Sequence, residues 1–264
     1  MSTQETFISH LVELRQRLIR AFSVVIVLFF SLFFWASDIY DLLAYPMIKV
    51  LPEGTKMIAT GVITPFLVPM KVTMLVAFVI ALPYVLYQVW AFVAPGLYHH
   101  EKRLVFPLVI GSTALFLIGM AFCYFVVFGA VFNFVYSWAP KSITVAPDIE
   151  QYLSFAITMF VVFGVTFEVP MVVIILVHMG IFTIEQLRSF RPYFIVGAFI
   201  VAAIVTPPDV LSQILLAVPL CILYELGIIV AKFMIKPRNR VAITDQGATD
   251  DQAQATPAPE AEQK

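Results

Sequence analysis

Long apolar blocks alternate with short charged clusters along the chain. Residues 21–37, 72–98 and 104–140 contain no Asp, Glu, Lys or Arg. Residues 152–177 contain only Glu168, and residues 192–231 only Asp209 and Glu225. A helix needs about 20 apolar residues to cross roughly 30 Å of hydrocarbon. The first four blocks therefore predict spans at about 18–37, 71–92, 105–134 and 152–178. The fifth is divided by TPPDV at 206–210, where two prolines and an acid break a helix into a tight turn. It predicts two short spans, 193–205 and 211–230. The first of these is only about 20 Å long at 1.5 Å per residue, so the bilayer is expected to thin around it.

The fold class expected is an all-α integral membrane protein with six transmembrane helices, the last two short. Residues 1–240 form the membrane domain. Residues 241–264, rich in Asp, Glu, Gln, Ala and Pro, read as a disordered cytoplasmic tail. In the largest external loop, SDIYDLLAYPMIKVL suggests an amphipathic interfacial helix, capped by Ser37 or Asp38 and ended near Pro46. No internal repeat of the kind found in secondary transporters is visible.

Composition sharpens this picture. Of 264 residues, 61% are hydrophobic and only 12% charged, and mean hydropathy is +0.95. Soluble domains carry about a quarter charged residues. Net charge is −1, which offers no global field for a nucleic acid. Eleven Lys and Arg fall on one side of the predicted spans, from Arg15, Arg17 and Arg20 through to Arg240, against Lys49, Lys56, Lys71 and Lys141 opposite. The positive-inside rule then places both termini in the cytoplasm, in agreement with an even span count. The polar start MSTQETFISHLVELRQR lacks the layout of a secretory signal peptide. Cys123 and Cys221 lie in apolar blocks without CxxC spacing and read as small buried hydrophobes.

Few residues stand out as carriers of chemistry. Glu168, in TFEVPMVVIIL, places a carboxyl near the middle of a span, at a cost of about 2.5–3.5 kcal/mol. It is either a functional site or a protonated acid bonded to a neighbouring span, and Pro170 should kink the helix beside it. His10, Glu13 and Arg17 share one helical face, which fits either a binding surface or a solvated entry helix with a weak local pair. Glu101 lies where an aromatic run (Tyr87, Trp90, Phe92, Tyr98) meets the turn HHEKR. An interfacial aromatic belt explains all of that segment except the acid, which suits a cationic ligand. Asp209 reads as a cap before span six, Glu225 as a pairing or snorkelling acid near Lys232, and His178 as an interface residue. His99 and His100 lack the spacing of a helical metal pair, so neither metal nor cofactor is expected. There is no HExxH, GxSxG or P-loop, and an enzyme is not expected.

Four long stretches, HLVELRQRL, YQVWAFVAPGLYHHEKR, YLSFAITMFVVFGVTFEVP and RPYFIVGAFIVAAIVTPPDVLSQ, resemble the TatC family from about Phe7 to Arg240. The resemblance implies a signal-peptide receptor and core subunit of the twin-arginine translocase in a bacterial inner membrane. Glu13 and Glu101 would accept the arginines of the signal peptide, with Arg15 and Phe92 on the same surface. Glu168 would be the intramembrane polar site touching partner subunits or the inserted peptide. Pro46 and Asp209 would be family-sensitive positions. Implied partners are TatA- and TatB-like single-span subunits and further copies of the chain within a hetero-complex, with export driven by the proton-motive force. The competing reading is a proton-coupled solute transporter using Glu168.

Overall fold

The computed structural model describes residues 3–49, 57–93, 105–138, 140, 146–206 and 209–234. Almost all are helical. Helix α1 (Thr3–Leu32) continues through a 3₁₀ turn (Phe33–Trp35) into α2 (Ala36–Ile48). Helix α3 covers Thr64–Val93. Helix α4 (Val105–Phe122) passes through a π-helical turn (Cys123–Val127) into α5 (Phe128–Ser137). Helices α6 (Ile149–Phe167) and α7 (Val169–His178) are separated at Glu168. Short α8 (Ile184–Ser189) leads to α9 (Arg191–Val205) and α10 (Val210–Met234). The described residues contain no strand, only an isolated parallel bridge between Ile58 and Asp148.

Five helical stretches are long and apolar enough to cross a membrane: Leu11–Ile48, Thr64–Phe92, Phe106–Ser137, Ile149–His178 and Val210–Met234. The sixth candidate, α9, has 15 residues, about 22 Å of helix. Large side chains such as Leu18, Phe22, Phe30 and Phe125 point outward, as expected where the surrounding solvent is hydrocarbon.

Helix α1 packs on α3, α4 on α6, and α7 on α10. The central core is aromatic. Phe128 stacks on Phe132 at 5.5 Å and meets Phe160 edge-on at 5.1 Å, while Phe122 lies against both Phe163 and Phe167. Glycine allows the closest approach. A Cβ on Gly119 would lie 2.6 Å from the carbonyl oxygen of Phe163, so only Gly lets α4 and α6 meet there.

The external helix differs from the sequence expectation. Ser37 and Asp38 do not cap it, because the helix N-cap is Trp35 and makes no side-chain cap bond. Nor does Pro46 end it, since the helix runs on to Ile48. Proline has no N–H, so the carbonyl four residues earlier, that of Leu42, loses its helical donor. The Tyr124 hydroxyl supplies one, donating to the Leu42 oxygen at 3.0 Å. Tyr152 donates in the same way to the Leu43 carbonyl at 2.8 Å.

At the same end of the bundle Asp148 caps α6 by accepting from the Glu150 and Gln151 amides at 2.8 and 3.1 Å. Its second oxygen accepts from the Thr60 hydroxyl at 2.6 Å and the Thr60 amide at 3.1 Å, tying down the loop before α3. Glu150 bonds Lys71 at 2.9 Å and Thr64 at 3.2 Å. The other unexpected element, α8, begins with a capping box between Thr183 and Gln186. Gly180, at φ 70°, turns the chain just before it. The tail at 241–264, Glu101 and the prolines of TPPDV lie outside the described residues.

Two outcomes follow from the end carrying Asp148. Tyr124→Phe should lower stability in detergent by about 0.5–1.5 kcal/mol. The same change should cost less in a Pro46→Ala background, where the helix regains its own donor; chemical unfolding of the four proteins measures that coupling. The hydrogen bonds, foremost that from the Thr60 hydroxyl, hold the Asp148 carboxyl below the usual carboxylate range. A depressed carboxylate stabilises the fold above its unfolded pKa of about 3.9 and loses that contribution as pH falls through its lower folded value. Melting temperature should therefore drop as pH is lowered below about 4, with a shallower drop in Asp148→Asn.

Candidate functional site

Helices α1 and α3 run antiparallel. Val25 and Phe29 of α1 cluster with Ala77 and Ala81 of α3, and Arg17 reaches Gln88. One turn further in each direction, the same register brings Glu13 level with Phe92. Glu13 and Arg17, four residues apart, form an ion pair. One Glu13 oxygen, Oε1, accepts from Arg17 Nη2 at 2.6 Å and from Nε at 3.0 Å. The third nitrogen, Nη1, points to Gln88 Oε1 at 3.4 Å. Gln88 is buried, whereas Glu13 and Arg17 are half-buried and Arg15 is exposed. Phe92 is half-buried on α3 one turn beyond Gln88. This end of the bundle thus presents a carboxylate already paired with a guanidinium.

The remaining predicted positions do not join that cluster. Glu168 sits where α6 breaks into α7, with Pro170 in the first turn of α7. Glycine again sets the packing there, since a Cβ on Gly227 of α10 would approach the Pro170 backbone at 2.9 Å. Both carboxyl oxygens of Glu168 are buried and have no hydrogen-bond partner among the described residues. The polar group beside them is Ser112 of α4, whose oxygen accepts from the buried indole Nε1 of Trp90 at 2.9 Å. Asp209 caps α10 by accepting from the Ser212 amide at 2.6 Å. Pro46 lies at the end of the bundle opposite Glu13. Glu225 pairs with Arg191 at 2.6 Å instead of Lys232, linking α10 to the start of α9.

Sequence reasoning missed Gln88, Ser112 and Trp90 as partners. Gln88 is a single polar residue inside an apolar block, and that isolation was the available signal; Ser112 stands beside Thr113 and carried no such mark. Cys123 is buried, as expected, whereas Cys221 is only half-buried. No group of three or more His, Cys, Asp or Glu gathers among the described residues.

Fold and site together define a polytopic helical membrane protein with a carboxylate–guanidinium pair at one end and a separate buried acid at a helix break. Comparison with known proteins makes the class specific. The family described as Sec-independent protein translocase protein (TatC) matches residues 9–219. The chain is 51% identical over 243 residues to the TatC protein of Escherichia coli (strain K12), covering 91% of this chain and 94% of that one. It is 50% identical over 229 residues to that of Haemophilus influenzae, covering 87% and 90%. A solved structure titled Twin Arginine Translocase Receptor TatC superposes with a TM-score of 0.74 at 39% identity, covering 85% of this chain and 98% of that one. The chain belongs to the TatC family.

The buried pair beside Glu168 predicts its own test. Ser112→Ala removes the acceptor of the Trp90 indole and should destabilise the protein by about 1–3 kcal/mol, with a shift in tryptophan emission. Ser112→Thr, which keeps the hydroxyl, should leave both near the parent values; equal losses in the two variants would assign the cost to packing.

Proposed function

We propose that this chain is the signal-peptide receptor and core subunit of a twin-arginine translocase in the bacterial inner membrane. It spans the bilayer six times, with both termini in the cytoplasm. The cytoplasmic end carries Glu13, Arg15 and Phe92, with Glu101 completing the recognition surface. The observation that carries this reading is the Glu13 carboxylate, which accepts from two nitrogens of a guanidinium. An arginine fork matches a carboxylate in two bonds where a lysine offers a point charge. Paired acids at Glu13 and Glu101 therefore favour consecutive arginines. The resemblance to a structure titled as the twin-arginine translocase receptor supports the same substrate.

Glu168 serves as the intramembrane polar site for single-span TatA- and TatB-like subunits or the inserted peptide. Further copies of the chain join the complex, and the proton-motive force drives export. A buried carboxyl without a hydrogen-bond partner also suits a proton-coupled solute transporter, the second reading.

Photocrosslinkers placed at positions 13, 92 and 101 in native membranes distinguish the two, with an Arg-Arg signal peptide as bait. Adducts should form and vanish when the bait carries Lys-Lys. Glu13→Gln and Glu101→Gln, probed from position 92, should each weaken peptide binding about 10- to 100-fold, the worth of a charge-assisted hydrogen bond. Labelling indifferent to the arginines, together with solute uptake abolished by Glu168→Gln, would establish the transporter instead.

A further inference from the structure

We propose that Arg17 and Gln88 set the selectivity of the Glu13 carboxylate, Arg17 as a resident guanidinium and Gln88 as the acceptor that retains Arg17 when a ligand arginine takes Glu13. The inference deepens the proposed function and rests on Glu13 being the peptide-binding acid.

The geometry is specific. Arg17 engages only Oε1 of Glu13, at 2.6 and 3.0 Å, and keeps Nη1 on Gln88 at 3.4 Å. Side-chain exposure is 21% for Arg17 and 38% for Glu13, so the arginine lies beneath and the carboxylate is reached from outside. Gln88 is 6% exposed and belongs to α3, so it stays in place when a ligand arrives. A partner carrying one positive point charge finds Oε2 alone, with the Arg17 charge close behind it. An incoming guanidinium instead takes both carboxylate oxygens in two parallel bonds. The exchange replaces one guanidinium by another, and the displaced Arg17 keeps a neutral acceptor in Gln88. Ammonium ligands gain less than guanidinium ligands, because they bind Oε2 with the Arg17 charge still in place on Oε1. Discrimination between Arg-Arg and Lys-Lys is thereby sharper than a bare carboxylate would give.

The exchange is reversible because the resident pair is weak. Half-exposed ion pairs four residues apart on a helix contribute little to stability, so a ligand displaces Arg17 at small cost.

The test uses the full chain in its native complex, with Arg-Arg and Lys-Lys versions of one signal peptide titrated against the parent, Arg17→Gln, Gln88→Met and Glu13→Gln. Arg17→Gln should improve Lys-Lys binding and narrow the Arg-Arg to Lys-Lys affinity ratio about two- to fivefold. Gln88→Met keeps the apolar volume but not the acceptor; it should weaken Arg-Arg binding about twofold and leave Lys-Lys binding unchanged. An unchanged ratio in Arg17→Gln, or equal weakening of both peptides, would overturn the proposal and leave Arg17 a purely structural residue. Should Arg17→Gln fail to assemble, Arg17→Met removes the charge and keeps the apolar stem. An affinity ratio in Arg17→Met identical to the parent's would overturn the proposal equally. Glu13→Gln separates the two layers: if it leaves both peptides binding normally, the peptide-binding role of Glu13 fails, whatever Arg17 does.

Discussion

Hydrocarbon solvates the outer face of a transmembrane helix as well as a neighbouring helix does, so burying one apolar side chain against another gains little in this fold. Backbone groups have no water to turn to and must find partners within the chain. Cohesion then depends on close fit and a few well-placed polar bonds. The fit is visible where Gly119 meets the Phe163 carbonyl, where Gly164 faces the ring of Phe116, and where Gly227 faces Pro170. Phe128, stacked on Phe132 within α5 and edge-on to Phe160 of α6, adds dispersion and ring-edge contacts.

The polar bonds sit where helices end or break. Asp148, Thr183 and Asp209 supply caps. Tyr124 satisfies the carbonyl that Pro46 strands. Arg191 and Glu225 join α9 to α10, and stacking of Phe194 on Tyr224 at 3.9 Å reinforces that junction. Against this background Glu168 is an exception. Its carboxyl oxygens are buried beside a Ser–Trp pair, with no partner at hydrogen-bonding distance among the described residues.

Much of this was legible in the sequence because charge is so strongly excluded from hydrocarbon. The long helices, the shortness of α9 and the break beside Pro170 follow from uncharged runs and proline positions alone. The family itself was legible in four ordered stretches. The start and stop of α2 were misread, since Ser37–Asp38 and Pro46 carry the chemistry of caps and breakers. Their effect was overridden by helix continuity through a 3₁₀ turn and by a tyrosine 82 residues from Leu42 in sequence. The Thr183–Gln186 capping box was readable and was passed over. Arg17 with Gln88, and Trp90 with Ser112, depend on which helices become neighbours, and no local pattern encodes that.

The π-turn at Cys123–Val127 carries one consequence for how this bundle tolerates change in chain length. A wide turn of this kind holds one residue more than an α-helical turn would over the same path. Deleting a single residue there returns the segment to regular winding over the same path and leaves everything beyond it in phase. Phe128, Phe132 and Val131 would keep their places in the core beside Phe160. One residue removed from the regular winding of α4 would instead rotate those side chains by about 100°, toward lipid. The wide turn is therefore a point in this span where the residue count can fall by one without moving the core.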